Sequence, residues 1–122
     1  MLTAGGMKVL IVDDNAGVRR LLRVIVSDMV AETWDCTDGA DALEAYCTHR
    51  PDIVLMDIRM PRMDGLAATR QIMAADPSAK VVIVTDYDDE MLRAAAFGAG
   101  ARAYVVKASL LDLTALIRSL VS

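Results

Sequence analysis

The chain has 122 residues, of which 55% are hydrophobic, and its formal net charge is −4. This length fits one domain with a single core, and the apolar fraction argues against disorder. The acidic balance argues against a nucleic-acid-binding surface, because phosphate contacts need clustered Lys and Arg side chains.

Short apolar runs alternate along the chain with stretches that have helical spacing. The runs predict strands at residues 8–12, 31–36, 52–56, 80–84 and 102–106, with the second weaker, as is typical of a sheet edge. The intervening stretches predict helices over residues 15–29, 39–47, 66–75 and 90–97, and a last helix that begins after an N-cap at Ser109. This alternation implies a parallel sheet with helices on both faces.

Four of the predicted strands end at a residue suited to phosphoryl chemistry. The first strand runs into Asp13 and Asp14, and the third runs into Asp57. The fourth runs into Thr85 and the fifth into Lys107. Because the carboxyl ends of parallel strands line one crevice, we expect three carboxylates, a hydroxyl and an ammonium to meet there.

The charges of this set predict a divalent cation. The three ionised carboxylates outnumber the one ammonium, so the crevice lacks positive charge. Hard carboxylate oxygens with room for water suit Mg²⁺.

Each of these residues also has an ordinary structural explanation. Asp57 could cap a loop. Asp13 and Asp14 would suit a helix N-terminus, where acids are stabilising. Thr85 is unremarkable at a strand end, and Lys107 alone would be taken for a surface lysine. Only the combination indicates a site.

Three segments together resemble the response-regulator receiver domain over residues 7–121. They are residues 10–15 (LIVDDN), 57–65 (DIRMPRMDG) and 98–107 (GAGARAYVVK). The receivers of regulators with a helix-turn-helix output domain are the most similar. The resemblance implies a flavodoxin-like (βα)5 three-layer sandwich with a parallel five-stranded sheet in the order 2-1-3-4-5. It assigns residues 7–122 to the receiver domain and residues 1–6 to a disordered leader.

The resemblance also implies a role for each residue of the set. Asp57 would be the phosphoacceptor, and Lys107 and Thr85 would contact the phosphoryl oxygens. Thr85 would move toward the phosphoryl group, and Tyr104 would turn inward into the space that it leaves. Without the resemblance, Tyr104 in a strand would be read as a core residue.

The resemblance implies a Mg²⁺ site as well. Asp14 and Asp57 would bind the ion directly, together with the backbone carbonyl of Arg59. Asp13 would act through water.

The implied function is that of a phosphoacceptor in two-component signal transduction. A sensor histidine kinase would donate the phosphoryl group, and the switched surface would regulate transcription through an output domain that these residues do not include. The chain would assist only its own phosphorylation and dephosphorylation, so we do not expect an enzyme.

The alternative is a pseudo-receiver that binds partners without being phosphorylated. A small phosphohydrolase is disfavoured, because Arg59 stands where a second acid would be needed.

Three features depart from the family pattern or extend it. Asp86 follows Thr85, where a small residue is usual, and it either repels the incoming group or points to solvent. By the resemblance, Arg59 and Tyr87 would flank the path of the attacking water, and we expect them to slow hydrolysis of the acyl phosphate. The last helix is apolar beyond one buried stripe, which predicts a homodimer through that helix.

The sequence also predicts a location. No uncharged stretch approaches the length of a membrane span, so we expect no membrane contact. Cys36 and Cys47 have no metal-ligand spacing, which favours a reduced, cytoplasmic compartment. We expect no direct contact with nucleic acid.

Overall fold

The computed structural model describes residues 6–121, and within them five strands form one parallel sheet. Strands β1–β5 are Met7–Val12, Val30–Cys36, Ile53–Met56, Val81–Thr85 and Ala103–Val106. Helices α1–α5 are Ala16–Val26, Ala42–His49, Gly65–Ala75, Glu90–Gly98 and Leu113–Val121. The strand order β2-β1-β3-β4-β5 confirms the predicted flavodoxin-like architecture. Most of the predicted leader, residues 1–5, lies outside the described residues.

The sheet is the middle layer between two apolar clusters. Successive residues of a strand point to opposite faces, so Val9 and Ile11 belong to one cluster and Leu10 and Val12 to the other. Residues of α1 and α5 complete the first cluster, and residues of α2, α3 and α4 complete the second. Because both faces of the central strands are covered, those strands read as unbroken apolar runs.

Polar side chains fix the starts of three helices. The side chains of Asn15, Asp64 and Asp89 accept hydrogen bonds from the backbone N–H groups three residues further on, at 3.0, 2.9 and 2.9 Å. These caps satisfy donors that a helix start leaves free. They fix where α1, α3 and α4 begin, next to the loops that follow β1, β3 and β4.

Three predicted helix boundaries are wrong. Helix α2 begins at Ala42 rather than at residue 39, because a 3-10 turn, Gly39–Asp41, precedes it. Helix α1 ends at Val26 rather than near residue 29, because tight turns follow in which the Ser27 N–H bonds to the Val24 carbonyl and the Met29 N–H to the Val26 carbonyl. The last helix begins at Leu113 rather than just after Ser109. A 3-10 segment, Lys107–Asp112, comes first, and Ser109 has non-helical angles within it.

Among residues 6–121, none of the helices combines the length and the hydropathy that crossing a bilayer requires.

Candidate functional site

The strand register brings the predicted residues to one edge of the sheet. Val12 is paired with Met56, so the chain leaves β1 and β3 side by side into Asp13 and Asp57. The Asp57 N–H also donates to the Val12 carbonyl at 2.9 Å. Thr85 ends β4 on the other side of β3.

Three carboxylates form the centre of the site. Asp13, Asp14 and Asp57 each offer an oxygen, and these three oxygens lie within 4.8 Å of one another. Asp13 is 1% exposed and Asp57 is 7% exposed, whereas Asp14 lies open to solvent. The expected meeting of the acids is therefore confirmed, with one side left accessible.

Asp13 is held from several directions. Its Oδ1 accepts the Asn15 N–H at 2.9 Å, and its backbone carbonyl accepts the Arg19 guanidinium at 2.8 Å. Its Oδ2 is buried and accepts no hydrogen bond of regular geometry from the described residues. That oxygen faces the Lys107 ammonium, with Nζ at 3.0 Å.

Lys107 supplies the positive charge of the site. Its Nζ lies 3.0 Å from Asp13 Oδ2 and 3.5 Å from Asp57 Oδ1, and its side chain is 13% exposed. Burial opposes protonation of this amine, but the contacts with Asp13 and Asp57 outweigh it, and the pKa of Lys107 rises above its ordinary value. The lysine therefore stays charged and balances one carboxylate.

The excess negative charge and the burial of the site act most clearly on the pKa of Asp57. Burial first, and then the Asp13 carboxylate, raise the pKa of Asp57 from 3.8 to about 6, while Lys107 lowers it in part. Three clustered carboxylates that face one ammonium form an arrangement that a further cation would stabilise. The hard oxygen donors present match the preference of Mg²⁺.

Thr85 and Tyr104 are linked through the backbone of Tyr87. Thr85 is fully buried, and its Oγ1 accepts the Tyr87 N–H at 3.4 Å. Tyr104 is 6% exposed, and its hydroxyl donates to the Tyr87 carbonyl at 2.6 Å. The Arg93 guanidinium covers the Tyr104 ring at 4.6 Å. Tyr104 thus already occupies an inward position.

The residues that depart from the family pattern lie at the rim of the site. The Arg59 guanidinium stacks on the Tyr87 ring, 4.9 Å from its centroid. The Asp86 side chain is 72% exposed, yet its Oδ2 lies 3.9 Å from Lys107 Nζ. Asp86 therefore points to solvent while it remains within electrostatic reach of the site.

Sequence reasoning missed two residues that support this site. Arg19 donates to the Asp13 carbonyl and pairs with Asp35. Asp38 is buried and bonds to backbone groups of the loop after β3. The only signal in the sequence was the Asp38-Gly39 pair, which is typical of a turn.

The raised pKa of Asp57 predicts a pH-dependent stability difference. Folding disfavours the ionised form of Asp57, so this carboxylate lowers the free energy of unfolding above about pH 6. The destabilisation disappears as the pH falls through 6 toward 4, because the group is then protonated in both states. In magnesium-free buffer at about pH 8, we expect Asp57→Asn to raise the free energy of unfolding by about 1–2 kcal/mol, after allowance for solvent in the crevice. Urea unfolding of both proteins at pH 8 and 4 measures this. A gain of equal size at both pH values would contradict the prediction, and Asp28→Asn, at an exposed acid, is the control.

The sequence model for the response regulator receiver domain matches residues 9–118. The chemotaxis protein CheY of Thermotoga maritima is 40% identical over 103 residues, which cover 84% of this chain and 86% of that protein.

Solved structures agree with this match. A LuxR-family two-component response regulator from Aurantimonas has 30% identity and a TM-score of 0.82, and the alignment covers 93% of this chain and 86% of that one. A LuxR-family DNA-binding response regulator from Staphylococcus aureus has 25% identity and a TM-score of 0.84, with 95% and 99% covered.

Proposed function

The chain belongs to the response regulator receiver domain family, and on that premise we propose that it is a phosphorylation switch of a two-component system. A sensor histidine kinase donates a phosphoryl group to Asp57 in a Mg²⁺-dependent reaction. One observation carries this proposal: the Asp57 carboxylate lies at an accessible crevice with two further carboxylates within 4.8 Å and an ammonium 3.5 Å from its Oδ1.

The residues proposed to hold Mg²⁺ fit that ion. Asp14 and Asp57 would hold it directly, together with the Arg59 backbone carbonyl, and Asp13 would act through water. The excess of carboxylates over ammonium groups among the described residues of the site supports this assignment. When bound, the ion neutralises charge on a phosphoryl oxygen.

The chemical step needs placement and charge neutralisation more than covalent help. A carboxylate oxygen of Asp57 attacks phosphorus, and the P–N bond to the donor histidine breaks, with its electron pair returning to the imidazole nitrogen. Lys107 contacts one phosphoryl oxygen as a point charge. Thr85 donates its hydroxyl to another. The product is an aspartyl phosphate, and no separate substrate is turned over.

Phosphorylation acts on the surface of α4, β5 and α5. Thr85 accepts the Tyr87 N–H, and Tyr104 donates to the Tyr87 carbonyl. A shift of the Thr85 hydroxyl toward the phosphoryl group therefore moves the backbone to which Tyr104 is bonded. The inward Tyr104 is the conformer that phosphorylation favours, and the modification shifts the population toward it. A groove of about 680 Å³ on this surface, lined by Arg93, Tyr104 and Leu116 among others, changes with it.

The output and the partners complete the proposal. The switched surface acts on transcription through an output domain or a partner protein, and the receiver itself makes no contact with nucleic acid. It works in the cytoplasm, which the two free thiols, Cys36 and Cys47, support. A homodimer through α5 is also proposed, because Leu111 just before that helix is 97% exposed.

A second candidate function is a pseudo-receiver that is regulated by binding alone. Asp86 favours it, because an acid 3.9 Å from Lys107 weakens the attraction of the site for a phosphoryl group. Incubation with acetyl phosphate and Mg²⁺, followed by intact-mass measurement, separates the two functions. A stable phosphoryl adduct supports the switch, and no adduct from either acetyl phosphate or phosphorylated kinases supports the pseudo-receiver.

The Arg59–Tyr87 stack predicts a slow loss of the phosphoryl group. A cation–π contact at an exposed site contributes about 0.5–1 kcal/mol, so removing it by the double change Arg59→Ala and Tyr87→Ala should accelerate dephosphorylation about threefold. The measurement is the decay of the adduct after the donor is removed. Arg62→Ala is the matched control, because Arg62 is an exposed arginine of the same loop that pairs with Asp41 instead. An unchanged decay in the double variant would disprove the shielding role.

A further inference from the structure

One buried carboxylate ties the loop after β2 to the loop after β3. Asp38 is 4% exposed and accepts three backbone N–H groups. Its Oδ1 accepts those of Ala40 at 2.9 Å and Met63 at 3.0 Å, and its Oδ2 accepts that of Arg62 at 2.8 Å. Burial disfavours the ionised form, but the three donors outweigh it and hold the pKa of Asp38 below its ordinary value. The carboxylate is therefore an ionised acceptor for both loops.

The two loops also touch without room for a side chain. A Cβ on Gly39 would lie 2.5 Å from the Met63 carbonyl oxygen and 3.1 Å from that of Asp64. The glycine thus allows the close approach on which the Asp38 hydrogen bonds depend. A second contact, from the Arg62 guanidinium to Asp41 at 2.8 Å, lies on the exposed surface and is expected to contribute little.

The segment held in this way carries a proposed metal ligand. Residues 58–64 connect Asp57 to α3, and the Gly65 N–H closes the loop on the Ile58 carbonyl at 2.7 Å. Arg59 lies between that closure and the Asp38 bonds to residues 62 and 63. The direction of the Arg59 carbonyl therefore depends on the Gly65–Ile58 hydrogen bond on one side and on the Asp38 hydrogen bonds on the other.

We propose that Asp38 is a positioning residue of the magnesium site, which fixes the Arg59 carbonyl by anchoring residues 62 and 63. The inference rests on the proposed function, because that function assigns the Arg59 carbonyl as a ligand. Ordering a loop at the moment of binding weakens affinity, and a loop ordered beforehand avoids that loss. Groups that orient metal ligands typically change metal affinity 10- to 100-fold when removed.

The test compares two Asp38 variants with a matched control. Asp38→Asn keeps the size but cannot accept from all three donors, and Asp38→Ser keeps an acceptor for Ala40 but does not reach residues 62 and 63. Asp41→Asn also removes an acid that contacts Arg62, but it leaves the loop backbone bonds in place. Calorimetric Mg²⁺ titration measures the Kd of each protein. Hydrogen exchange of the Arg62 and Met63 amides in magnesium-free protein measures loop order independently of activity.

We expect both Asp38 variants to raise the Mg²⁺ Kd about tenfold and to speed exchange of the two amides. Asp41→Asn should stay within about twofold of wild type. Faster exchange in the Asp38 variants with an unchanged Kd would overturn the proposal, as would an equal loss of affinity in Asp41→Asn. Failure of both Asp38 variants to fold by circular dichroism would also overturn it, because the carboxylate would then serve folding rather than positioning.

The outcomes separate this inference from the proposed function. If wild type binds Mg²⁺ and takes up a phosphoryl group while the Asp38 variants match it, only the positioning role fails. If wild type binds Mg²⁺ but is never phosphorylated, the proposed function fails, and the effect of Asp38 on affinity is still measured.

Discussion

Asp57→Asn should abolish Mg²⁺-dependent uptake of a phosphoryl group from acetyl phosphate, with a rate loss of about a thousandfold or more, equivalent to about 4 kcal/mol in the barrier. Asparagine keeps the size of the side chain but replaces an anionic nucleophile with a neutral amide. It also removes one of the three carboxylates whose oxygens cluster within 4.8 Å, so Mg²⁺ binding weakens as well. Intact mass after equal incubations measures the uptake directly.

Two outcomes would contradict this prediction in different ways. If wild type gains no phosphoryl mass from acetyl phosphate or from phosphorylated kinases, the switch is wrong and the pseudo-receiver stands. If Asp57→Asn gains mass as fast as wild type, the acceptor is a neighbouring acid such as Asp13, which lies 3.0 Å from Lys107 Nζ. Asp28→Asn, at an exposed acid, should behave as wild type. Beryllofluoride titration followed by Trp34 fluorescence gives a second measurement that does not require transfer.

The fold was predictable because its central strands are buried on both faces. Each central strand is an apolar run, which predicted a parallel sheet, and the family resemblance implied the strand order. Helix ends were less predictable, because local hydrogen bonds decide them. Helix α1 stops where the Ser27 and Met29 amides turn back to Val24 and Val26, and apolar periodicity does not report such turns.

The convergence of the acids was predictable for a topological reason. Parallel strands end at one edge of a sheet, so Asp13 and Asp57 meet although many residues separate them. The same rule predicted that Lys107 and Thr85 would lie at this edge, because each stands at the end of a strand. Their roles in phosphoryl transfer stay predictions that the experiments above test.

Contacts that depend on side-chain conformation were not predictable. Asp38 bonds to backbone groups 24 and 25 residues away, and a turn-forming Asp-Gly pair gives no indication of such partners. The expected inward movement of Tyr104 was tied to phosphorylation, yet the ring is already buried and bonded to the Tyr87 carbonyl. Rotamers of a buried tyrosine depend on the cavity around it, which the sequence alone does not define.

Gly65→Ala should destabilise the protein by about 3 kcal/mol and slow phosphorylation at the same time. Gly65 is the first residue of α3, and a Cβ there would lie 1.8 Å from the Asp57 carbonyl oxygen and 2.9 Å from Met56 Cγ. The first of these is a backbone atom of the phosphoacceptor itself. Relief of the clash must move either the start of α3 or the end of β3, and a movement of β3 shifts Asp57 away from Asp13 and Lys107.

Gly98→Ala is the matched control, because a Cβ at that position, the last residue of α4, meets nothing within 4 Å. The same substitution in open helical space should be neutral or stabilising by up to about 1 kcal/mol, since alanine loses less conformational entropy than glycine on folding. Urea unfolding gives both free energies, and acetyl phosphate uptake gives both rates. Equal stability of the two variants would mean that α3 adjusts without cost. Normal phosphorylation in a strongly destabilised Gly65→Ala would mean that the backbone of Asp57 does not set the geometry of the site.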